Sequence, residues 1–256
     1  MTEAYGDRRA SRARRPRPFG VRMPVWDVDV MRSLSGLLSR LGGLRQAEGM
    51  RPAGSRREPE QCPVVHSRAL PTFLSHVGTR PAPVLLDLGP LVGSNVTFFG
   101  ERLNCKVYIE DLFADLERHL REGRLEELPA FLSARFTLEE GAVDGVLLWD
   151  VFDYLDRPSG QALASTLARL LRVGGSLLGY FGSASHVRAG FTRFIVADES
   201  HVRQHPYASA AVRQNSLANR DIIKMFDGLS VSDSFLLQSG LREILFRKVG
   251  AGRPAL

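Results

Sequence analysis

VLLDLGPLVGSNVTFF, residues 84–99, is the stretch of sequence that decides the fold. It begins with an apolar run typical of a strand buried on both faces, turns at Gly89 and Gly93, and continues in a helical pattern. The strand carries an acid, Asp87, at its carboxyl end. Ligands of open α/β sheets bind beyond the carboxyl ends of the strands, where glycine lets the backbone approach them closely. The stretch therefore predicts a ligand site. It is not a phosphate-binding loop, because no Lys-Ser/Thr follows the glycines.

Strand and helix patterns alternate after this stretch, which predicts a mainly parallel sheet covered by helices on both faces. The predicted strands are KVYIED (106–111), GVLLWD (145–150) and SLLGYF (176–181), with helices at 112–128 and 157–172. Before the stretch, residues 64–78 predict a helix leading into the domain. We therefore predict an α/β fold, a Rossmann-like three-layer sandwich.

The C-terminal part departs from this alternation. FTRFIVAD at 191–198 predicts an extra strand, and RDIIKMF at 220–226 a short helix capped by Asn219. Residues 229–249 predict two strands joined by a turn at Ser239-Gly240. Such a hairpin adds an antiparallel strand to the sheet.

A second acidic position follows the next strand, at Glu110-Asp111. Glu110 lies 23 residues beyond Asp87, and a carboxylate at this place binds ribose hydroxyls in dinucleotide-binding folds. Glycine turns and strand-end acids are each common, but their order and spacing together predict an adenosine-type ligand.

These motifs resemble the class I S-adenosylmethionine-dependent methyltransferase family over about residues 65–249. DLGPLVG stands where that family has an acid followed by three alternating glycines, and VYIED where it has the ribose-binding acid. The segments at 143–155 and 167–181 resemble its fourth strand and its helix, Gly-Gly turn and fifth strand. REILFRK at 242–248 is similar to its antiparallel seventh strand.

The resemblance implies a mostly parallel seven-stranded sheet with an antiparallel C-terminal strand, and S-adenosylmethionine as cofactor. The cofactor-binding residues that it implies are Asp87, Gly89, Pro90, Gly93, Glu110, Asp111, Trp149 and Asp150. The glycine turn would hold the methionine end, one of the acid pair the ribose, and the last two residues would border the cofactor and substrate. The sequence departs from the family at Leu91, which replaces the middle glycine, and at 129–141, where the family's third strand is indistinct and no acid for the adenine amine is evident.

The predicted function is methyl transfer to a small molecule or a protein side chain. The segment 183–215, which mixes arginines with aromatic residues, is the candidate substrate region, and no catalytic residue is identified. His186, His201 and His205 are candidate bases, although lone surface histidines explain them equally simply. The departures at Leu91 and 129–141 favour an alternative, a non-catalytic regulatory or scaffold protein that keeps the fold. A nicotinamide-linked oxidoreductase suits the terminal hairpin less well.

Composition and charge narrow the class of protein. With 44% hydrophobic and 24% charged residues, the chain is typical of a soluble globular protein. No run approaches the roughly 18 apolar residues that a membrane span needs. Two cysteines do not make a disulfide framework, which predicts a reducing, cytoplasmic location. The histidines lack metal-ligand spacing, so no metal site is predicted.

The N-terminal quarter carries the whole net charge of +6, because residues 1–60 hold thirteen arginines against seven acids. Residues 1–22 predict a disordered basic tail, 27–45 an amphipathic helix, and 46–61 a polar linker. Nucleic acid is therefore a predicted partner only through this tail, as in an RNA-associated protein, and a solvated tail is the simpler interpretation. The predicted organisation is a tail at 1–60 and a methyltransferase-like domain at 61–256. Met23, Met31 and Met50 are alternative starts.

Overall fold

The computed structural model describes residues 62–182, 190–207, 209 and 218–250. The predicted tail, amphipathic helix, linker and alternative starts lie outside these ranges. The strands are β1 (Val64–His66), β2 (Val84–Asp87), β3 (Lys106–Ile109), β4 (Val143–Trp149), β5 (Leu171–Gly182), β6 (Phe191–Val196), β7 (His201–Tyr207), β8 (Leu229–Leu236) and β9 (Leu241–Lys248). The α-helices are α1 (Leu70–Val77), α2 (Gly93–Leu103), α3 (Leu112–Arg121), α4 (Leu128–Ala134), α5 (Arg157–Leu170) and α6 (Asn219–Met225).

The main sheet has six strands in the order β3-β2-β4-β5-β9-β8. Strands β3, β2, β4 and β5 are parallel, and β9 runs antiparallel to both β5 and β8. The predicted α/β class and the antiparallel C-terminal strand are therefore confirmed.

The predicted count of seven strands is wrong for the residues that the structure describes. The missing strand was sought at 129–141, where the chain instead forms α4. Pro129 lies in the first turn of this helix, where its lack of an N–H costs nothing. Leu128 and Leu132, four residues apart, bury one face of the helix against the sheet.

The sheet is buried on both faces, which makes the domain a three-layer sandwich. Neighbouring residues of one strand point to opposite faces, so that Leu86 packs with α3, α4 and α5 while Leu85 packs with α1 and α2. Leu147 and Leu148 of β4 divide in the same way. The uninterrupted apolar runs of the sequence thus have their cause in two-sided burial.

A second, three-stranded antiparallel sheet has the order β1-β7-β6. The extra strand predicted at 191–198 is confirmed as β6, but it belongs to this sheet. The helix predicted over 64–78 is wrong in its first half, because Val64–His66 pairs with β7. Helix α1 begins only at Leu70, whose N–H donates to the Ser67 hydroxyl at 3.1 Å.

Two other predicted bounds need correction. The helix predicted at 112–128 ends at Arg121 and is followed by a 3-10 turn at Leu125–Glu127. The short helix before the hairpin begins at Asn219, with Ala218 in the capping position, so Asn219 does not cap it.

Buried Glu243 fastens the start of α1 to the main sheet. One carboxylate oxygen of this β9 residue accepts hydrogen bonds from the N–H groups of Arg68 and Ala69, at 2.8 and 3.1 Å. A carboxylate at a helix N-terminus satisfies donors that the helix cannot pair internally. The small sheet, which continues into α1 through β1, is thereby held against the main sheet.

The chain leaves the neighbouring strands β2 and β4 toward opposite faces of the sheet. After β2 it passes through α2, which packs in one core, and after β4 through α5, which packs in the other. This is a topological switch point, the place where ligands of open α/β sheets bind. The crevice between the carboxyl ends of β2 and β4 is therefore the candidate site.

Candidate functional site

Asp87 closes β2 and faces the crevice with only 4% of its surface exposed. Its Oδ1 accepts hydrogen bonds from the Gly89 N–H at 2.9 Å and from the Trp149 indole Nε1–H at 2.6 Å. The predicted site acid is thus buried, and its bonding partners come from the glycine turn and from the end of β4.

The pKa of Asp87 is raised to about 6, chiefly by burial and in smaller part by the charge of Asp111, while the hydrogen bonds from Gly89 and Trp149 lower it. A carboxylate that is taken out of water loses hydration that two donors restore only in part. A cationic group brought to this place would recover the missing stabilisation. Asp87 is therefore suited to binding an ammonium or sulfonium group.

The glycine turn is shaped by the indole above it. A Cβ added at Gly89 would lie 2.7 Å from Trp149 Cδ1, so no side chain larger than hydrogen fits there. A Cβ at Gly93 would meet nothing within 4 Å, so packing does not explain that glycine. Pro90 is half-buried, and Leu91, which replaces the family's middle glycine, is 53% exposed. The Leu91 side chain therefore leaves the core and does not fill the turn.

The acid pair lies directly beside Asp87, as predicted from its spacing. Strands β2 and β3 pair Asp87 with Ile109, and the Glu110 N–H donates to the Asp87 carbonyl at 2.8 Å. Glu110 Oε2 forms an ion pair with Arg135 Nη1 at 2.6 Å. Burial raises the pKa of Glu110, and Arg135 opposes that rise.

Arg135 is a site residue that the sequence does not reveal. It follows α4 and pairs with Asp115 at 2.8 Å as well as with Glu110. Its guanidinium comes from the segment in which a third strand was sought, so no motif marks it. One oxygen of the predicted ribose acid is thus already held by the chain itself.

Asp111 has a structural task in addition to its predicted one. Its Oδ1 accepts a hydrogen bond from the Ala114 N–H at 3.1 Å and so caps α3. Burial raises its pKa. Of the two acids, Asp111 is therefore the one that caps a helix, whereas the partner of Glu110 is the Arg135 side chain.

Trp149 and Asp150 lie at the end of β4, as the resemblance implies, and each is 3% exposed. The indole of Trp149 lies parallel to the Phe194 ring, with centroids 5.2 Å apart and planes at 9°. Tyr180 of β5 stacks on the same group, 4.9 Å from Phe194. Of the two, Trp149 contacts the glycine turn directly, through Asp87 and the space above Gly89.

The backbone of Trp149 is in a rare conformation. Its φ is +52°, in the left-handed region that aromatic residues seldom adopt, and the β4–β5 register shifts between Leu147 and Trp149. Such strain persists only where the surroundings enforce it, and it is concentrated at functional sites.

Strand β6 covers the crevice and is held there by Asn95 of α2. The Asn95 amide donates to the Phe194 carbonyl at 2.9 Å and accepts from the Val196 N–H at 2.8 Å. This buried residue, two positions after the turn at 89–93, satisfies two main-chain groups of β6. Helix periodicity gave no sign of its partner, which lies about 100 residues away.

The described part of the predicted substrate segment, 183–215, contains both buried aromatic residues and charged residues. Phe191 and Phe194 are buried, while Arg193 lies over the Tyr207 ring at 5.3 Å and close to Asp111. Burial raises the pKa of Tyr207, and the charges of Asp111 and Asp150 raise it further. Arg203, another arginine of this segment, is exposed on β7, whereas His186, Arg188 and Arg213 lie outside the described residues.

Neither described histidine candidate shows the contacts of a general base. His201 Nδ1 lies 3.0 Å from an Asp198 carboxylate oxygen in the β6–β7 turn, and His205 is exposed. Within the described ranges, no group of three or more potential ligands could hold a metal ion. A helix both long and apolar enough to cross a membrane is likewise not found among those residues.

No model of a known protein family matches the chain, and no curated protein matches it. Among solved structures it is similar to 1,6-didemethyltoxoflavin-N1-methyltransferase of Burkholderia thailandensis bound to S-adenosylhomocysteine, with 16% identity, 72% of this chain and 78% of that chain covered, and a TM-score of 0.42. A glycopeptide N-methyltransferase complexed with sinefungin is 19% identical, with coverages of 72% and 86% and a TM-score of 0.42. Geranyl diphosphate C-methyltransferase of Streptomyces coelicolor is 13% identical, with coverages of 70% and 79% and the same TM-score. Similarity at this level does not identify a ligand for this chain.

Proposed function

We propose that the protein is an S-adenosylmethionine-dependent methyltransferase acting on a small molecule or a protein side chain. The observation that carries the proposal is the adjacency of two acids beside the glycine turn, Asp87 at the carboxyl end of β2 and Glu110 just after the neighbouring strand β3. In this proposal Asp87 binds the cofactor's amine and Glu110 the ribose hydroxyls. Gly89, Pro90 and Gly93 lie along the methionine end, Asp111 lies beside Glu110 at the ribose, and Trp149 and Asp150 border the cofactor and substrate space.

The reaction needs alignment more than a dedicated base. When bound, S-adenosylmethionine would supply an electrophilic methyl group to the lone pair of the acceptor and would leave as neutral S-adenosylhomocysteine. The proton of the acceptor leaves to water or to a nearby carboxylate. A crevice covered by β6 supplies the orientation and the exclusion of water on which such a transfer depends.

The reducing location predicted from composition is kept as part of this proposal. Cys62 and Cys105 are the two cysteines of the chain, and both are free thiols, not joined in a disulfide. This supports a cytoplasmic enzyme.

Thermal unfolding with S-adenosylhomocysteine tests the proposal. At a ligand concentration near 100 times Kd, binding adds about 2.7 kcal/mol to stability, which raises Tm by roughly 5–10 °C for a domain of this size. We expect that shift with S-adenosylhomocysteine, a smaller one in Glu110→Gln, and none with NAD. An unchanged Tm at millimolar S-adenosylhomocysteine would remove the proposal.

A second candidate, a non-catalytic protein with the same fold, is favoured by the internal partners of both acids. Trp149 bonds to Asp87, and Arg135 bonds to Glu110, as they would in a site that no longer admits a ligand. The two candidates differ in turnover. Production of S-adenosylhomocysteine from S-adenosylmethionine with small-molecule or protein fractions supports the enzyme, whereas binding without product supports the second candidate.

A further inference from the structure

The indole of Trp149 lies where the methionine end of the proposed cofactor would bind. Its Nε1–H bonds to the Asp87 carboxylate at 2.6 Å, and its Cδ1 lies within 2.7 Å of the Cβ position above Gly89. The glycine that would let a ligand approach the backbone is therefore covered by a side chain of the same protein. A ligand and the indole cannot use this space together.

A cationic group of a ligand would interact with the Asp87 carboxylate more strongly than the Trp149 indole does. A neutral indole N–H donates one hydrogen bond to Asp87, whereas an ammonium group would add a full positive charge. The indole bond has one charged partner, whereas an ammonium group would pair two opposite charges and would bring three N–H donors. Burial holds the pKa of Asp87 above its ordinary value in spite of the indole, so the carboxylate is not fully compensated.

The backbone at this point supplies a second, independent observation. Trp149 has φ +52° at a register shift of β4, which is a costly conformation for an aromatic residue. The indole that covers Gly89 is thus carried by a left-handed residue at an irregular point of the strand. Conformations of this kind are found in ligand clamps and switch regions.

We propose that Trp149 sets the affinity of the crevice by competing with the cofactor for Asp87 and Gly89. In the free protein the indole occupies this position, and it moves away when the cofactor's amine takes over the carboxylate. The inference rests on the proposed function, since it names how the same site is regulated. Because displacing the indole costs free energy, the observed affinity for the cofactor is lower than it would be if the indole did not occupy the site.

The matched variants are Trp149→Phe and Trp26→Phe, the same exchange at the only two tryptophans. Phenylalanine keeps an aromatic ring but has no N–H for Asp87, so we expect Trp149→Phe to bind S-adenosylhomocysteine about tenfold more tightly than the wild type. Trp149→Ala, which also clears the space, should bind at least as tightly. Trp26→Phe should leave the affinity unchanged.

The Trp26→Phe protein also reports on the indole directly, because Trp149 is then its only tryptophan. On saturation with S-adenosylhomocysteine we expect the emission of Trp149 to shift to longer wavelength as the ring leaves its buried stack. Equal or weaker binding by folded Trp149→Phe, or unchanged emission at saturation, would overturn the inference while leaving the cofactor site standing. Failure of the wild type and of both Trp149 variants to bind would instead overturn the proposed function.

Discussion

Asp87 and Glu110 each meet a partner from a distant part of the chain before any ligand arrives. The indole of Trp149 takes one oxygen of Asp87, and the guanidinium of Arg135 takes one oxygen of Glu110. Both acids have raised pKa values because burial outweighs these contacts. At the scale of the residue, the crevice is therefore a place where negative charge is under-compensated.

Asp87→Asn should change how stability depends on pH. The pKa of Asp87 rises from 3.8 unfolded to about 6 folded, so the native state holds the proton more tightly. Its contribution is complete below pH 4 and is lost as the pH rises to about 6. We expect the free energy of unfolding of the wild type to fall by about 3 kcal/mol relative to Asp87→Asn over that range. Urea denaturation measures it, and parallel pH profiles would show that Asp87 is not perturbed.

Arg135→Met should destabilise the protein most at alkaline pH. Methionine keeps the packing of the stem but leaves Glu110 without its cation, at a cost of about 1–3 kcal/mol after allowance for partial exposure. At pH 5 the loss should shrink, because Glu110, with its raised pKa, takes up a proton. Glu110→Gln, which removes the charge that needs pairing, is the control and should lose less. Equal losses for both variants at both pH values would contradict this account of the pair.

At the scale of the element, the position of β6 depends on one amide side chain. Asn95 bonds to the carbonyl of Phe194 and the N–H of Val196, two main-chain groups of buried residues. Strand β6 in turn places Phe194 against Trp149. The cover of the crevice is thus attached to the helix that follows the glycine turn.

Asn95→Ala should loosen this cover without unfolding the main sheet. Leaving two buried main-chain groups unpaired costs about 1–3 kcal/mol each at most, and the amide of Val196 should exchange its hydrogen faster. Hydrogen exchange measured by mass spectrometry on peptides from β6 and β4 separates local from global opening. Thr97→Ala, on the exposed face of the same helix, is the control. Equal protection of β6 in the two variants would show that Asn95 does not hold the strand.

The sequence predicts the elements whose patterns are local and misses those set by distant contacts. VLLDL was predicted as a strand because its apolar run reflects two-sided burial. Strand β1 was missed because three residues, Val64–His66, pair with β7 far along the chain. At 129–141 the expectation of a third strand overrode the helical spacing of Leu128 and Leu132. In the site, acids and glycines follow from spacing, whereas Arg135 and Asn95 depend on partners that no motif shows.

At the scale of the whole molecule, both hydrophobic cores and both sheets are built from residues between 64 and 249. The excess charge lies elsewhere, in residues 1–60, which leaves the remainder electrically neutral. The described cores and the excess charge thus lie in different parts of the chain.

A chain that begins at Cys62 should therefore fold as the full chain does. We expect its free energy of unfolding in urea to match within about 0.5 kcal/mol, as for changes away from the packed structure. Any affinity for RNA should be lost, because it would arise from the arginines alone and would weaken steeply with salt. A loss of more than about 2 kcal/mol would mean that the N-terminal quarter packs on the domain.

The central claim is that the crevice between β2 and β4 binds S-adenosylmethionine, and isothermal titration tests it most directly. We predict micromolar binding of S-adenosylmethionine or S-adenosylhomocysteine to the full chain. Asp87→Ala should weaken that binding by about 1–3 kcal/mol while the protein stays folded. Absence of heat with either ligand at millimolar concentration, or an Asp87→Ala protein that binds as well as the wild type, would contradict the claim.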